Sequence, residues 1–115
     1  MSHQNYQACI DACQECAVEC DHCATACLQE PDVQMLARCI QLDLDCARIC
    51  STAVHYMAMG SEFVQSVCQL CAQICDACAQ ECEKHASHHD HCRQCAEVCR
   101  QCAQECRRMG SMATA

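Results

Sequence analysis

Cysteine supplies the chemistry of this chain: 19 of its 115 residues are Cys. They fall in four blocks: Cys9, Cys13, Cys16, Cys20, Cys23 and Cys27; Cys39, Cys46 and Cys50; Cys68, Cys71, Cys75, Cys78 and Cys82; Cys92, Cys95, Cys99, Cys102 and Cys106. Outside the second block the steps alternate between three and four residues. That rhythm averages about 3.5 residues, the period of the inward seam of packed helices.

Thiols in this arrangement suit metal ions better than each other. Helical neighbours three or four residues apart hold their Cβ atoms about 5–6 Å apart, whereas a disulfide needs about 3.5–4.5 Å. Soft thiolates select Cu(I), Zn(II) or iron–sulfur clusters, and His and Met are also acceptable to copper. Zinc takes four tetrahedral ligands, usually on knuckles and loops, so the thiols present would serve only about four or five isolated sites. Ferredoxin clusters use the run C-x2-C-x2-C-x3-C-P, while Cys68, Cys71, Cys75 and Cys78 read C-x2-C-x3-C-x2-C with no proline behind them. Cu(I) is satisfied by as few as two thiolates, and a thiolate can bridge two ions. A sulfur-lined tube would thus hold on the order of one copper per cysteine. Each Cu(I) replaces one thiol proton, so filling the tube adds little net charge.

The elements that must position these thiols follow from the same rhythm. In the second block it continues through Leu36, Cys39, Asp43, Cys46, Cys50, Ala53 and Met57, which places a carboxylate on the seam. Extension of the third block reaches His85, and extension of the fourth reaches His88 backwards and Met109 forwards; the first reaches back to Tyr6. Gln29-Glu30-Pro31-Asp32 separates the first two blocks, with Pro31 suited to a helix's first turn. Met59-Gly60-Ser61-Glu62 makes the second break, Gly60 as C-terminal cap and Ser61 as N-cap. The third connection runs from His85 to His91. Between the breaks the chain is rich in Ala, Gln and Glu, good helix formers. The expectation is an all-α, antiparallel up-down-up-down four-helix bundle with a Cys-lined core, a single domain over 1–115, with helices at roughly 5–28, 32–58, 62–85 and 90–108. The tail from Arg107 onward, without cysteine, is expected to fray.

Composition sets the outer bounds. With one Phe, two Tyr and no Trp, the usual core fillers are scarce, so cysteine must occupy much of the interior. The formal charge of −8 argues against a nucleic-acid partner and for cations. No run approaches the roughly 18 apolar residues of a membrane span, and Met1-Ser2-His3-Gln4-Asn5 lacks the basic and apolar regions of a secretory signal. A cytoplasmic location is expected, where thiols stay reduced and a dense cysteine set reads as metal-binding or catalytic. The odd cysteine count points the same way. The rival readings are a Zn/Cd thiolate buffer of metallothionein type, a thiol redox enzyme built on a pair such as Cys13 and Cys16 or Cys92 and Cys95, and an iron–sulfur carrier. No C-x2-C pair is distinguished from the rest, so the expectation is not an enzyme.

With these residues in view the chain resembles the copper storage proteins, cysteine-lined four-helix bundles, and specifically their cytosolic branch. The resemblance covers roughly residues 6–109 and rests on the six-cysteine stretch from Cys9 to Cys27, on Cys39-Ile40-Gln41-Leu42-Asp43-Leu44-Asp45-Cys46-Ala47-Arg48-Ile49-Cys50, and on Glu81-Cys82-Glu83-Lys84-His85 leading through His91-Cys92 to Cys95. It implies reversible storage of many Cu(I) ions in a bundle that assembles as a homo-oligomer, commonly a tetramer, with polar residues at one mouth.

Antiparallel order locates that mouth independently. The ends of helices one and three meet the starts of two and four, which gathers Cys23, Cys27, Cys39, Asp43, Cys82, His85, His88, His91 and Cys92. Tyr6, Ala53, Met57, Val64 and Met109 collect at the opposite, apolar end. The expected metal ligands are all the cysteines together with Asp43, His85 and His91. His3, His22 and His55 lie off the seam and are expected on the surface, Met57 and Met109 in the core, and Met59 and Met112 outside. Ile10, Leu42, Ile49, Leu70 and Ile74 are expected to pack between helices, with any surplus forming the oligomer contact.

Overall fold

A computed structural model describes residues 3–111, with side chains from residue 5 to Ser111; Met112 and the side chain of His3 lie outside the described residues. Four helices, α1 (Gln7–Leu28), α2 (Ala37–Met59), α3 (Val64–Glu83) and α4 (Asp90–Gly110), are joined by short connections. Each packs on its sequence neighbours, and α4 closes the ring against α1. With about 1.5 Å of rise per residue each helix runs about 30 Å, long enough to carry five or six seam positions. No strand occurs among the described residues, and no helix among them is long and apolar enough to cross a membrane.

The seam points inward on all four helices. Every cysteine has zero relative exposure, as do Leu36, Asp43, Ala53 and Met57. Flanking the sulfur rows are small residues at heptad spacing, Ala72 and Ala79 on α3 and Ala96 and Ala103 on α4, all buried. Small side chains there let the helices approach closely enough for thiols to meet across the axis. Ile10 is buried, and Leu42, Ile49 and Ile74 pack against the core from between helices. Leu70 departs from its expectation: it lies off the seam on the outer face of α3 and is 47% exposed, with Val18, Met35, Met59 and Phe63 also exposed.

The ends show where side-chain spacing stops being informative. α2 does not begin at Pro31. Residues 29–32 form turns, a short 3₁₀ segment runs over Val33–Leu36, and the α-helix starts at Ala37. Pro31 instead shapes the turn ahead of the 3₁₀ segment, in which the Met35 N–H donates to Asp32 O at 2.9 Å. Ser61 also acts outside the helix proper: its Oγ accepts the Phe63 N–H at 3.0 Å, and α3 begins at Val64. The C-terminal tail does not fray at Arg107. α4 continues to Gly110 because Met109 is buried and Gln69 Nε2 donates to Gly110 O at 2.8 Å.

Gly60 fulfils its expected role. At φ 62° and ψ 38° it ends α2 in the left-handed region, with Gly60 N–H on Met57 O and Ser61 N–H on Tyr56 O. This is the Schellman closure that satisfies the last carbonyls of a helix. A side chain at that backbone geometry costs roughly 1–2 kcal/mol. Gly60→Ala should therefore lower the unfolding free energy of the metal-free protein by about 1 kcal/mol in urea denaturation; an unchanged midpoint would show that the turn relaxes without cost.

Candidate metal-binding core

The four helices converge their thiols into a continuous ladder. Across helices, Cys39 and Cys82 place their Sγ atoms 3.4 Å apart, Cys46 and Cys75 3.5 Å, and Cys20 and Cys99 3.6 Å. Along single helices, Cys16–Cys20, Cys71–Cys75 and Cys95–Cys99 stand at 3.9 Å. All are free thiols.

These sulfurs group in fours within 4.8 Å of one another: Cys13, Cys71, Cys102 and Cys106; Cys16, Cys46, Cys50 and Cys75; Cys16, Cys20, Cys46 and Cys99; Cys20, Cys78, Cys95 and Cys99; and Cys23, Cys27, Cys39 and Cys92. Cys16, Cys20, Cys46 and Cys99 each belong to two of these groups. Isolated tetrahedral ions cannot fill groups that share corners, whereas ions bridged by thiolates can.

The ladder is electrostatically uneven. For Cys68, a hydrogen bond from Cys106 pulls the thiol down, but contact with Cys9 and burial outweigh it and leave the group pushed up to about 12. Cys16, with Cys102 and Cys20 beside it, is instead pulled below the ordinary thiol range, while its neighbour Cys99 is pushed up by Cys16 and Cys20. Within a dry row of thiols, such contacts drive neighbouring groups in opposite directions. At the mouth Cys92 is lowered by the surrounding Cys23, Cys27 and Cys39.

Asp43 is the one carboxylate fully buried in the ladder. Its Oδ1 accepts from Cys78 at 3.1 Å, from Cys95 at 3.3 Å and from Cys82 at 3.7 Å, and its Oδ2 faces Cys39 at 4.0 Å. It thus stands between the mouth group containing Cys39 and the next group inward, which contains Cys78 and Cys95. Burial, followed by the nearby Cys95, pushes its carboxyl up to about 8.

The expected mouth residues divide. His91 is brought to the thiols: its Nδ1 lies 3.6 Å from Cys23 Sγ, 3.8 Å from Cys27 Sγ and 3.6 Å from Cys92 Sγ. His85 is drawn to Glu81, its Nε2 lying 3.2 Å from Glu81 Oε2. Burial pushes the Glu81 carboxyl up, but hydrogen bonds from Lys84 and His85 outweigh it and hold the group low, with Arg38 3.5 Å away. His88 is exposed, as are His22 and His55.

Seam spacing did not single out Glu30, Asp32 and His89. His89 Nδ1 pairs with Glu30 and its Nε2 lies 3.0 Å from Asp32 Oδ2. Asp32 first, and Glu30 with it, holds the His89 imidazole above its ordinary value. Only the Glu81–His85 pair had a readable signal, the i,i+4 spacing on one helix face. At the opposite end Ala53, Met57, Val64 and Met109 are buried as an apolar plug, and Tyr6 packs partly buried against the core.

A helical tube lined with free, mutually hydrogen-bonded thiols defines a thiolate metal-binding bundle. Residues 2–111 match the family model described as copper storage protein, and the chain belongs to that family. The structure of the Cu(I)-bound copper storage protein BsCsp3 aligns with a TM-score of 0.86 at 48% identity, covering 91% of this chain and 97% of that one. A cytosolic copper storage protein from Streptomyces lividans, solved with five coppers, aligns with a TM-score of 0.93 at 39% identity, covering 97% of each chain. The Bacillus subtilis (strain 168) uncharacterized cysteine-rich protein YhjQ is 48% identical over 88 residues, 76% of this chain and 80% of that protein.

The raised value at Asp43 carries a sign. In the folded chain the carboxyl stays neutral up to about 8, while in the unfolded chain it ionises near 3.8. Its contribution to stability is therefore fully present below 3.8 and is lost as pH rises towards about 8. In metal-free protein, Asp43→Asn should remove that slope, so that wild type loses on the order of several kcal/mol relative to the variant across this window. Parallel urea-denaturation curves over the same pH range would show that Asp43 is ionised in the folded state.

Proposed function

We infer that this chain stores Cu(I) in the cytosol, with the thiols of one bundle domain, residues 1–115, as its ligands. The observation that carries this reading is the continuous sulfur ladder with shared corners, which suits bridged Cu(I) and exceeds what separate zinc sites require. The copper-loaded relatives support the same cargo. Storage by equilibrium binding calls for no catalysis, and the protein acts as a sequestering vessel rather than an enzyme.

Each incoming Cu(I) takes the place of a thiol proton, forming a Cu–S bond and releasing H⁺ to water, so the interior stays close to neutral as it fills. Loading proceeds from the polar mouth. His91, His85 and Asp43 act there as exchangeable ligands that pass copper to Cys23, Cys27, Cys39, Cys82 and Cys92 and then inward. His85 keeps Nδ1 for copper while Glu81 holds Nε2. A homo-oligomer, a tetramer by family resemblance, would cover exposed apolar side chains such as Val18 and Leu70.

Anaerobic titration of the reduced protein against a chromophoric Cu(I) chelator should reach an endpoint near one ion per cysteine, with about one proton released per copper in an unbuffered cell. Saturation at about four or five ions, or displacement of copper by Zn(II), would replace storage with a zinc buffer. Replacing His85, His91 and Asp43 together should slow uptake at least about 10-fold while leaving capacity close to wild type; unchanged rates would remove the mouth from the loading route.

A further inference from the structure

The connection between α1 and α2 carries no cysteine, yet it reaches the loading mouth. Glu30 follows the end of α1, where its backbone N–H donates to Cys27 O at 3.2 Å. Its Oε2 lies 3.4 Å from His91 Nε2, on the ring edge opposite the nitrogen that faces Cys23, Cys27 and Cys92. The same oxygen pairs with His89 Nδ1, and Asp32 holds the far side of His89 at 3.0 Å. His89 and His91 lie with ring centroids 5.3 Å apart, and their side chains are only 11% and 16% exposed. Asp32, His89, Glu30 and His91 form an unbroken polar chain from one connection of the bundle to the other, ending on three thiols.

A neutral imidazole has one N–H and one lone pair, and the hydrogen bond made by one nitrogen decides which role the other plays. A carboxylate can only accept, so Glu30 requires the N–H at Nε2 and leaves the Nδ1 lone pair directed at the thiols. A ring so held presents a metal-ready nitrogen without first reorienting, and its basicity is raised by the partner carboxylate. We propose that Glu30 is the positioning residue of the mouth, holding His91 with Nδ1 towards Cys23, Cys27 and Cys92 so that arriving Cu(I) is captured there. The proposal rests on the storage reading for its cargo; the Glu30–His91 contact belongs to the metal-free chain.

The test uses the intact, reduced protein and four variants of it. In ¹⁵N-histidine spectra of the metal-free wild type, His91 should show an Nε2–H resonance protected from exchange with water, and Glu30→Ala should lose that protection with helicity unchanged. Transfer of Cu(I) from a chelator complex should slow about 10-fold in Glu30→Ala, recover most of its rate in Glu30→Gln, which keeps an acceptor oxygen, and end at the wild-type stoichiometry. In a His91→Ala background, Glu30→Ala should slow transfer no further, because the two residues act as a unit. Additive slowing in that background, or a protected Nε2–H surviving in Glu30→Ala, overturns the proposal. Wild-type loading by His91→Ala overturns it together with the mouth route, while an endpoint near one ion per cysteine in the same experiment leaves storage standing.

Discussion

Close contact between sulfur atoms from four helices is the constraint on which this structure depends. A thiol is small, weakly polar and only a weak hydrogen-bond donor, so a row of them can be buried without the desolvation cost that carboxylates or amides would bring. The metal-free core can therefore be dry and packed, with Sγ atoms as close as 3.4 Å, while keeping one exchangeable proton at each potential ligand. Cysteine fills the interior poorly by volume. Leu36 and Met57 add bulk at the two ends of the α2 seam, and the heptad-spaced alanines of α3 and α4 bring the backbones together.

The same packing makes the tube directional. One end is sealed by Met57, Val64 and Met109, and the other is polar: Asp43 interrupts the sulfur rows, and two histidines each lean on a carboxylate, His85 on Glu81 and His91 on Glu30. A buried neutral acid inside a thiol column is a local step in polarity, donating or accepting hydrogen bonds where sulfur does either only weakly. The exposed ion pairs that link α3 to α4, Arg100 with Glu83 and Arg107 with Asp76, lie outside this gradient. At their level of exposure such pairs add little to stability.

Spacing made the interior legible because a helix converts an interval of three or four residues into one face, whatever the rest of the chain does. Every cysteine from Cys9 to Cys106, and Asp43 with them, is buried as that rule requires, whereas His85 and His88, where the rhythm runs past the helices, are not. The rule fails at element ends. Pro31 and Ser61 carry the right side chains for helix starts, yet α2 and α3 begin later, because a 3₁₀ segment and a turn satisfy the local backbone first. Leu70 shows the other limit: apolarity alone does not say which side of a helix faces inward.

What the sequence by itself determined is the set of inward residues, the helical class, the thiolate chemistry and the family, all consequences of short-range periodicity and residue type. What only the tertiary structure decided is which ladder positions share a group of four, that His91 and not His85 meets the thiols, and that Glu30, Asp32 and His89 join the mouth. Those outcomes depend on the relative axial offset of antiparallel helices and on the path of two connections. Glu30 and His91 are brought within hydrogen-bond reach although 61 residues separate them in the chain, because α1 ends where α4 begins.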